Sequence, residues 1–246
     1  KFDFTTLNTG GGVHPFVAEK GVKDPSIISF SVAEMRLNLA PAIAEGMHHC
    51  VDVGCFGYAP PEKERYDKAV AAWMARRHHW NVSMDTCTQT TGVVTAMGIA
   101  IRALTEPGDG VIIQTPVYPP FAGSVRNNGR TLIENPLKCV DGVYTMDFED
   151  LEEKAAHAKM LLLCSPHNPV GRVWTEEELK KLGEICVKHS LFVLSDEIHF
   201  DLDYTGRHMV LTEACPELRN HAIICTAPSK TFNLAGLVGS YHFSGE

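Results

Sequence analysis

Four short apolar runs in this chain each end in a cluster of polar residues: GVIIQTP (110–116), MLLLCSP (160–166), LFVLSDE (191–197) and AIICTAPSK (222–230). The runs are continuous rather than alternating, which is the pattern of strands covered on both faces. Helical stretches separate them. TEEELKKLGEICVKHS opens with Thr175 and Glu178 at capping-box spacing and places Leu179, Leu182, Ile185 and Cys186 on one face. Upstream, Ala69, Val70, Trp73 and Met74 recur at helical spacing, and TGVVTAMGIAIRALTEPGD reads as a second helix closed by Pro107 and Gly108. Strands alternating with helices predict a mostly parallel sheet between helical layers. In an open sheet of that kind, ligands bind outside the carboxyl ends of the strands. The four exits carry Tyr118, Asn168, Asp196 and Lys230, and are expected to converge on one crevice.

The lysine is the most informative of these. Lys230 stands alone between Ser229 and Thr231, just past an apolar run. An ammonium is costly to desolvate, so either the run ends at the surface or the lysine faces a site and does chemistry.

Composition narrows the partners. The 246 residues carry a net charge of −8, which argues against nucleic acid or an anionic membrane as partner. No apolar run approaches the roughly 20 residues of a membrane-spanning helix. The opening KFDFTTLNTGGG has no signal-peptide core and no initiator Met, so a fragment or a processed chain is expected. Eight cysteines are scattered without a CxxC, several inside apolar runs, which predicts reduced thiols in a cytoplasmic protein. Asp196, Glu197, His199, Asp201 and Asp203 would point to opposite faces of an extended segment, against one shared metal. His48, His49, His78 and His79 lack ligand spacing and are expected to be solvated. Gly10 to Gly12 match no dinucleotide fingerprint.

The blocks TGVV (91–94), TPVYPPF (115–121), SPHNPVG (165–171), SDEIHFDL (195–202) and APSKTFNLAGL (227–237) occur in an order that resembles the large domain of fold-type I pyridoxal-phosphate enzymes. GCFGYA (54–59) adds a weaker match. Within the class I/II aminotransferases, the chain is most similar to the cystathionine β-lyase and C–S lyase branch. The resemblance implies a three-layer α/β/α large domain with a mostly parallel seven-stranded sheet. Residues 1–45 would form an N-terminal arm associated with the small domain, and 46–246 the cofactor-binding large domain. The chain is shorter than the family, so the C-terminal small domain is expected to be missing, with the sheet's last strands and the arginine for the substrate carboxylate.

The same resemblance implies roles. Lys230 would condense with the aldehyde of pyridoxal 5'-phosphate and later take the Cα proton of the substrate. Asp196 would keep the ring nitrogen protonated, Asn168 and His199 would serve the phenolic oxygen, and Tyr118 would stack on the ring. His199 also reads as a core histidine, and Tyr118 as an ordinary strand-end residue. Gly92, Val93 and Val94 would offer amides to the phosphate at a helix start, with hydroxyls from Ser229 and Thr226. Tyr58 would reach the phosphate of the other subunit of a homodimer, or be a surface turn residue. The implied reaction is α,β-elimination on cystathionine or a cysteine S-conjugate; an aminotransferase and a non-catalytic binding protein are the alternatives. Against the family pattern, VAEMRLNLAP puts Glu34 and Arg36 where two aspartates are usual, NTGGGVHPF replaces the usual arm, and Thr91 stands where proline is common.

Overall fold

The computed structural model describes residues 33, 35, 37–57 and 62–245. Most of the expected arm, including Glu34 and Arg36, lies outside the described residues, as does Tyr58. In chain order the elements are α1 (Pro41–Asp52), α2 (Lys63–His78), β1 (Cys87–Thr90), α3 (Val93–Leu104), β2 (Gly110–Ile113), α4 (Pro120–Asn127) and β3 (Thr131–Glu134). There follow β4 (Lys138–Val140), β5 (Val143–Thr145), α5 (Phe148–Ala155), β6 (Met160–Cys164), α6 (Glu176–Lys188) and β7 (Phe192–Asp196). The last are α7 (Leu211–Ala214), β8 (Ala222–Thr226), α8 (Pro228–Thr231) and β9 (Ser240–Ser244). Helix α1 runs across position 45, where the arm was expected to end.

Seven strands form one sheet in the order β1-β9-β8-β7-β6-β2-β3. All are parallel except β9, which lies antiparallel between β1 and β8. The four apolar runs are β2, β6, β7 and β8, four adjacent strands at the centre. Burial on both faces explains their continuous hydrophobicity: every residue of β2 and β6 is buried. Alternate side chains divide between two cores. Ile112, Leu161, Leu163, Val193 and Ile224 pack against α2, α5 and α6. Val111, Ile113, Leu162, Cys164, Leu194 and Cys225 pack against α3 and α4. The three layers are therefore present.

One expectation needs correction. The sheet does not lack its last strands: a turn after Lys230 returns the chain as β9, which completes the seven. Its sequence, SYHFS, puts Tyr241 and Phe243 into one core and Ser240 and His242 on the other face, so it carries no continuous apolar run. The capping box of α6 forms as its spacing predicts: Thr175 Oγ1 accepts from Glu178 N–H at 3.1 Å, and the Glu178 carboxylate accepts from Thr175 N–H at 2.8 Å. Among the described residues no helix is long and apolar enough to cross a membrane. The eight cysteines are unpaired.

Candidate active site

Parallel pairing brings the four exits to one edge of the sheet. The Tyr118 N–H donates to Asn168 O at 3.0 Å, and His167 Nε2 lies 2.9 Å from Pro116 O, so the loops after β2 and β6 are stitched together. The Asn168 N–H points back to Cys164 Sγ at 3.3 Å. Asn168 is half-buried, while the Tyr118 ring is exposed.

Asp196 ends β7, with Cys164 of β6 and Cys225 of β8 as its register partners. It shares a sheet face with Leu194, on the side covered by α3. Its Oδ1 accepts from Ile198 N–H at 3.1 Å. Among the described residues, no side-chain donor hydrogen-bonds to either carboxylate oxygen. Burial, reinforced by neighbouring Glu197 and opposed by Ile198 N–H and Lys230, pushes its carboxyl up to about 7. His199 is half-buried and held below the usual imidazole range, by burial first and by the Lys230 charge second. Lys230 thus acts on both groups. Its Nζ donates to Ala33 O at 3.3 Å, where the N-terminal segment passes the crevice.

The third component is the start of α3. Gly92 caps the helix at φ +120°, a conformation that side chains with a Cβ rarely adopt, and among the described residues a Cβ there would meet nothing within 4 Å. As first-turn groups the amides of Val93 and Val94 have no intrahelical acceptor, and among the described residues no side chain caps them. Val93 is buried and Val94 exposed. Ser229 is half-buried in α8, beside Lys230. Thr226 differs from its expected part: it is fully buried, and its hydroxyl donates inward to Glu197 O at 3.4 Å.

The remaining acidic residues also separate, but alternation accounts only for Glu197, because a turn and a 3-10 helix over Phe200–Leu202 replace the expected extended segment. Glu197 is buried on the opposite side from Asp196, its Oε1 accepting from Ser195 Oγ at 2.9 Å and from Leu211 N–H at 3.1 Å. Its Oε2 lies 3.1 Å from His208 Nε2, out of line for a hydrogen bond. Asp201 collects Trp73 Nε1 at 3.1 Å, His78 Nε2 at 2.8 Å and Thr231 Oγ1 at 2.7 Å. His78 is therefore not solvated: its ring is buried and stacks on Phe200 at 3.7 Å. Among the described residues no group of His, Cys, Asp and Glu is placed to hold a metal ion.

Sequence reasoning missed Asn233, three residues after Lys230. Its Nδ2 donates to Met35 O at 2.8 Å and its Oδ1 accepts from Met35 N–H at 3.2 Å. The signal was present in TFNLAGL, since an asparagine in a turn tolerates the left-handed φ of +58° found there.

Residues 25–242 match the family model for class I and II aminotransferases. The chain belongs to that family. Its curated relatives include the cystathionine beta-lyase PatB of Bacillus subtilis, 46% identical over 85% of this chain and 54% of the relative. The protein MalY of Escherichia coli is 32% identical over 92% of this chain and 58% of its own length. Among solved structures, cystalysin from Treponema denticola, whose crystals contain a pyridoxal 5'-phosphate cofactor, superposes with a TM-score of 0.90 at 41% identity. That superposition covers 99% of this chain and 64% of cystalysin. The pyridoxal-phosphate-bound C–S lyase from Staphylococcus hominis gives 0.89 at 26% identity, over 98% of this chain and 63% of the lyase. This family member thus spans little more than half the length of the curated relatives it matches.

Proposed function

We propose that residues 46–246 are the cofactor-binding large domain of a pyridoxal 5'-phosphate enzyme, with residues 1–45 forming its N-terminal arm. The reaction is α,β-elimination on cystathionine or a cysteine S-conjugate, releasing a thiol and 2-aminoacrylate, which water then hydrolyses to pyruvate and ammonia. The observation that carries this reading is the buried Asp196 carboxylate within reach of the Lys230 charge, at the exits of adjacent strands and beside an uncapped helix start. The chemistry of these groups fits the cofactor. A buried carboxylate that, among the described residues, no side chain hydrogen-bonds suits a protonated ring nitrogen. Uncapped amides behind a glycine suit a phosphate. A lone lysine suits an aldehyde.

When bound, the cofactor holds the substrate amine and withdraws electrons from its Cα. Lys230 Nζ takes the Cα proton, and the thiolate leaves from Cβ. Asp196 keeps the proton on the ring nitrogen, which maintains that withdrawal. Asn168 and His199 would hold the ring through its phenolic oxygen, and Tyr118 would cover its face. The amides of Val93 and Val94 and the Ser229 hydroxyl would bind the phosphate, whereas the Gly92 amide, expected to join them, donates instead to Ser240 Oγ at 3.0 Å. Thr226 supports the β8 exit from behind. Tyr58 completes the phosphate site of the second subunit in a homodimer. We place the enzyme in the reducing cytoplasm, where its cysteines stay unpaired. Relatives and solved neighbours named as cystathionine β-lyases and C–S lyases support elimination over transamination.

The test is the visible spectrum of the protein with pyridoxal phosphate, before and after borohydride, combined with pyruvate release. A band that borohydride fixes on Lys230, and that Lys230→Ala abolishes, is the expected result. Pyruvate should form from cystathionine without a 2-oxo acid. Strict dependence on such an acceptor would make the protein an aminotransferase instead.

A further inference from the structure

Directly behind the Gly92 turn lies a closed hydrogen-bond network that none of these roles uses. β1 and β9 pair antiparallel, with Thr90 opposite Ser240 and Thr88 opposite His242, so Thr90, Ser240 and His242 share one face. His242 is buried, and its Nε2 lies 2.7 Å from Thr90 Oγ1 and 3.3 Å from Ser240 Oγ. The two hydroxyl oxygens are 3.0 Å apart. Thr90 Oγ1 donates to Gly92 O at 3.0 Å, Gly92 N–H to Ser240 Oγ at 3.0 Å, and Ser240 Oγ to Thr90 O at 3.1 Å.

Each hydroxyl has one proton, which restricts the assignment. If Thr90 donates to Gly92 O, it must accept from the ring, so His242 carries its proton on Nε2. Ser240 then accepts from Gly92 and donates to Thr90 O. The assignment places a proton on Nε2, and burial, which lowers His242 to about 4, keeps the ring neutral with Nδ1 unprotonated. Among the described residues the Nδ1 lone pair has no hydrogen-bond partner. A buried acceptor without a donor is costly, so the position is not explained by stability alone. Both polar groups of Gly92 end up fixed through the network.

We propose that His242 is a positioning residue for the phosphate group: through Thr90 and Ser240 it holds Gly92 at φ +120° and so aims the first amides of α3 at the anion. A glycine there would otherwise sample many conformations. This inference rests on the pyridoxal-phosphate reading of the site.

The test compares binding of pyridoxal phosphate and of unphosphorylated pyridoxal to the wild-type protein, His242→Phe and His242→Gln. His242→Phe removes the donor and should weaken pyridoxal phosphate about tenfold while leaving pyridoxal within about twofold. His242→Gln keeps an N–H donor and should recover part of the loss. The phosphorus resonance of bound cofactor should move in His242→Phe and return toward its wild-type position in His242→Gln. If His242→Phe does not fold, Ser240→Ala interrupts the same network by one oxygen and should show the same phosphate-selective loss. Equal weakening of both ligands, or none, in folded variants overturns the inference while the functional reading stands. A wild-type protein that fails to bind pyridoxal phosphate overturns both.

Discussion

Asn233 holds Met35 at two points, donating to its carbonyl at 2.8 Å and accepting from its amide at 3.2 Å, across 198 residues of chain. The segment so fixed is the one whose Ala33 carbonyl receives Lys230 Nζ. The lock therefore sets what stands in front of the lysine. Asn233→Gly removes it while keeping the left-handed backbone, and is expected to lower kcat/KM about tenfold with stability changed by less than about 1 kcal/mol. Asn233→Ala adds roughly 1 kcal/mol of backbone strain to the same loss. Steady-state kinetics and urea unfolding on both variants check this; undiminished kcat/KM in both would remove the lock from function.

Asp196 makes stability depend on pH in a stated direction. Its native carboxyl, at about 7, is far above the ordinary 3.8, so the folded state holds the proton more tightly than the unfolded state. Without cofactor, the associated stability is fully present below about pH 4 and is lost as pH rises through 7. Asp196→Asn should escape that loss, becoming more stable than wild type at about pH 8 by on the order of a few kcal/mol. Near pH 4 the difference should vanish. Urea unfolding of cofactor-free protein at both pH values measures it, and the variant should have lost catalysis.

Asp201 behaves oppositely. Burial works to raise its carboxyl, but the hydrogen bonds from His78 and Thr231 outweigh it and hold the group below the ordinary range. The stability it contributes is present above the ordinary carboxylate range and lost as pH falls through the native value. Asp201→Asn turns an amide toward donors and should cost about 2–3 kcal/mol near neutral pH, with a smaller penalty in acid. Because Thr231 follows Lys230, the variant should also weaken cofactor retention, measured by dialysis.

Gly110 begins β2 where two other segments of the chain, around Ile133 and His157, approach it closely. An added Cβ would fall 2.6 Å from Ile133 Cδ1 and closer still to the His157 carbonyl. Ile133 can rotate, but the carbonyl belongs to the backbone and cannot yield without moving the β6 approach. Gly110→Ala should cost about 2–3 kcal/mol in urea unfolding while leaving the spectrum of any folded holoenzyme unchanged.

The central strands were legible because β2, β6, β7 and β8 lie between two helical layers and are apolar up to their polar exits, which in β7 are Ser195 and Asp196 and in β8 is Thr226. β1 (CTQT) and β9 (SYHFS) were not, because each presents a polar face and neither forms an apolar run. The Thr175 cap and the buried face of α6 were legible because they depend on spacing within one element. His78 was misread as solvated, since Asp201 and Phe200, more than 120 residues away, bury its ring.

The sequence by itself determined the strand exits, the residue types on them and the order in which they occur, because these follow from local patterning and from motifs a few residues long. Only the tertiary structure decided which groups act on one another. That Asp196 is raised by burial, that Asn233 grips Met35 and that His242 underlies Gly92 depend on contacts between segments distant in the chain. The physical reason is that desolvation and hydrogen bonding are set by neighbours in space, and the neighbours of a strand end are fixed by sheet order, which no single segment encodes.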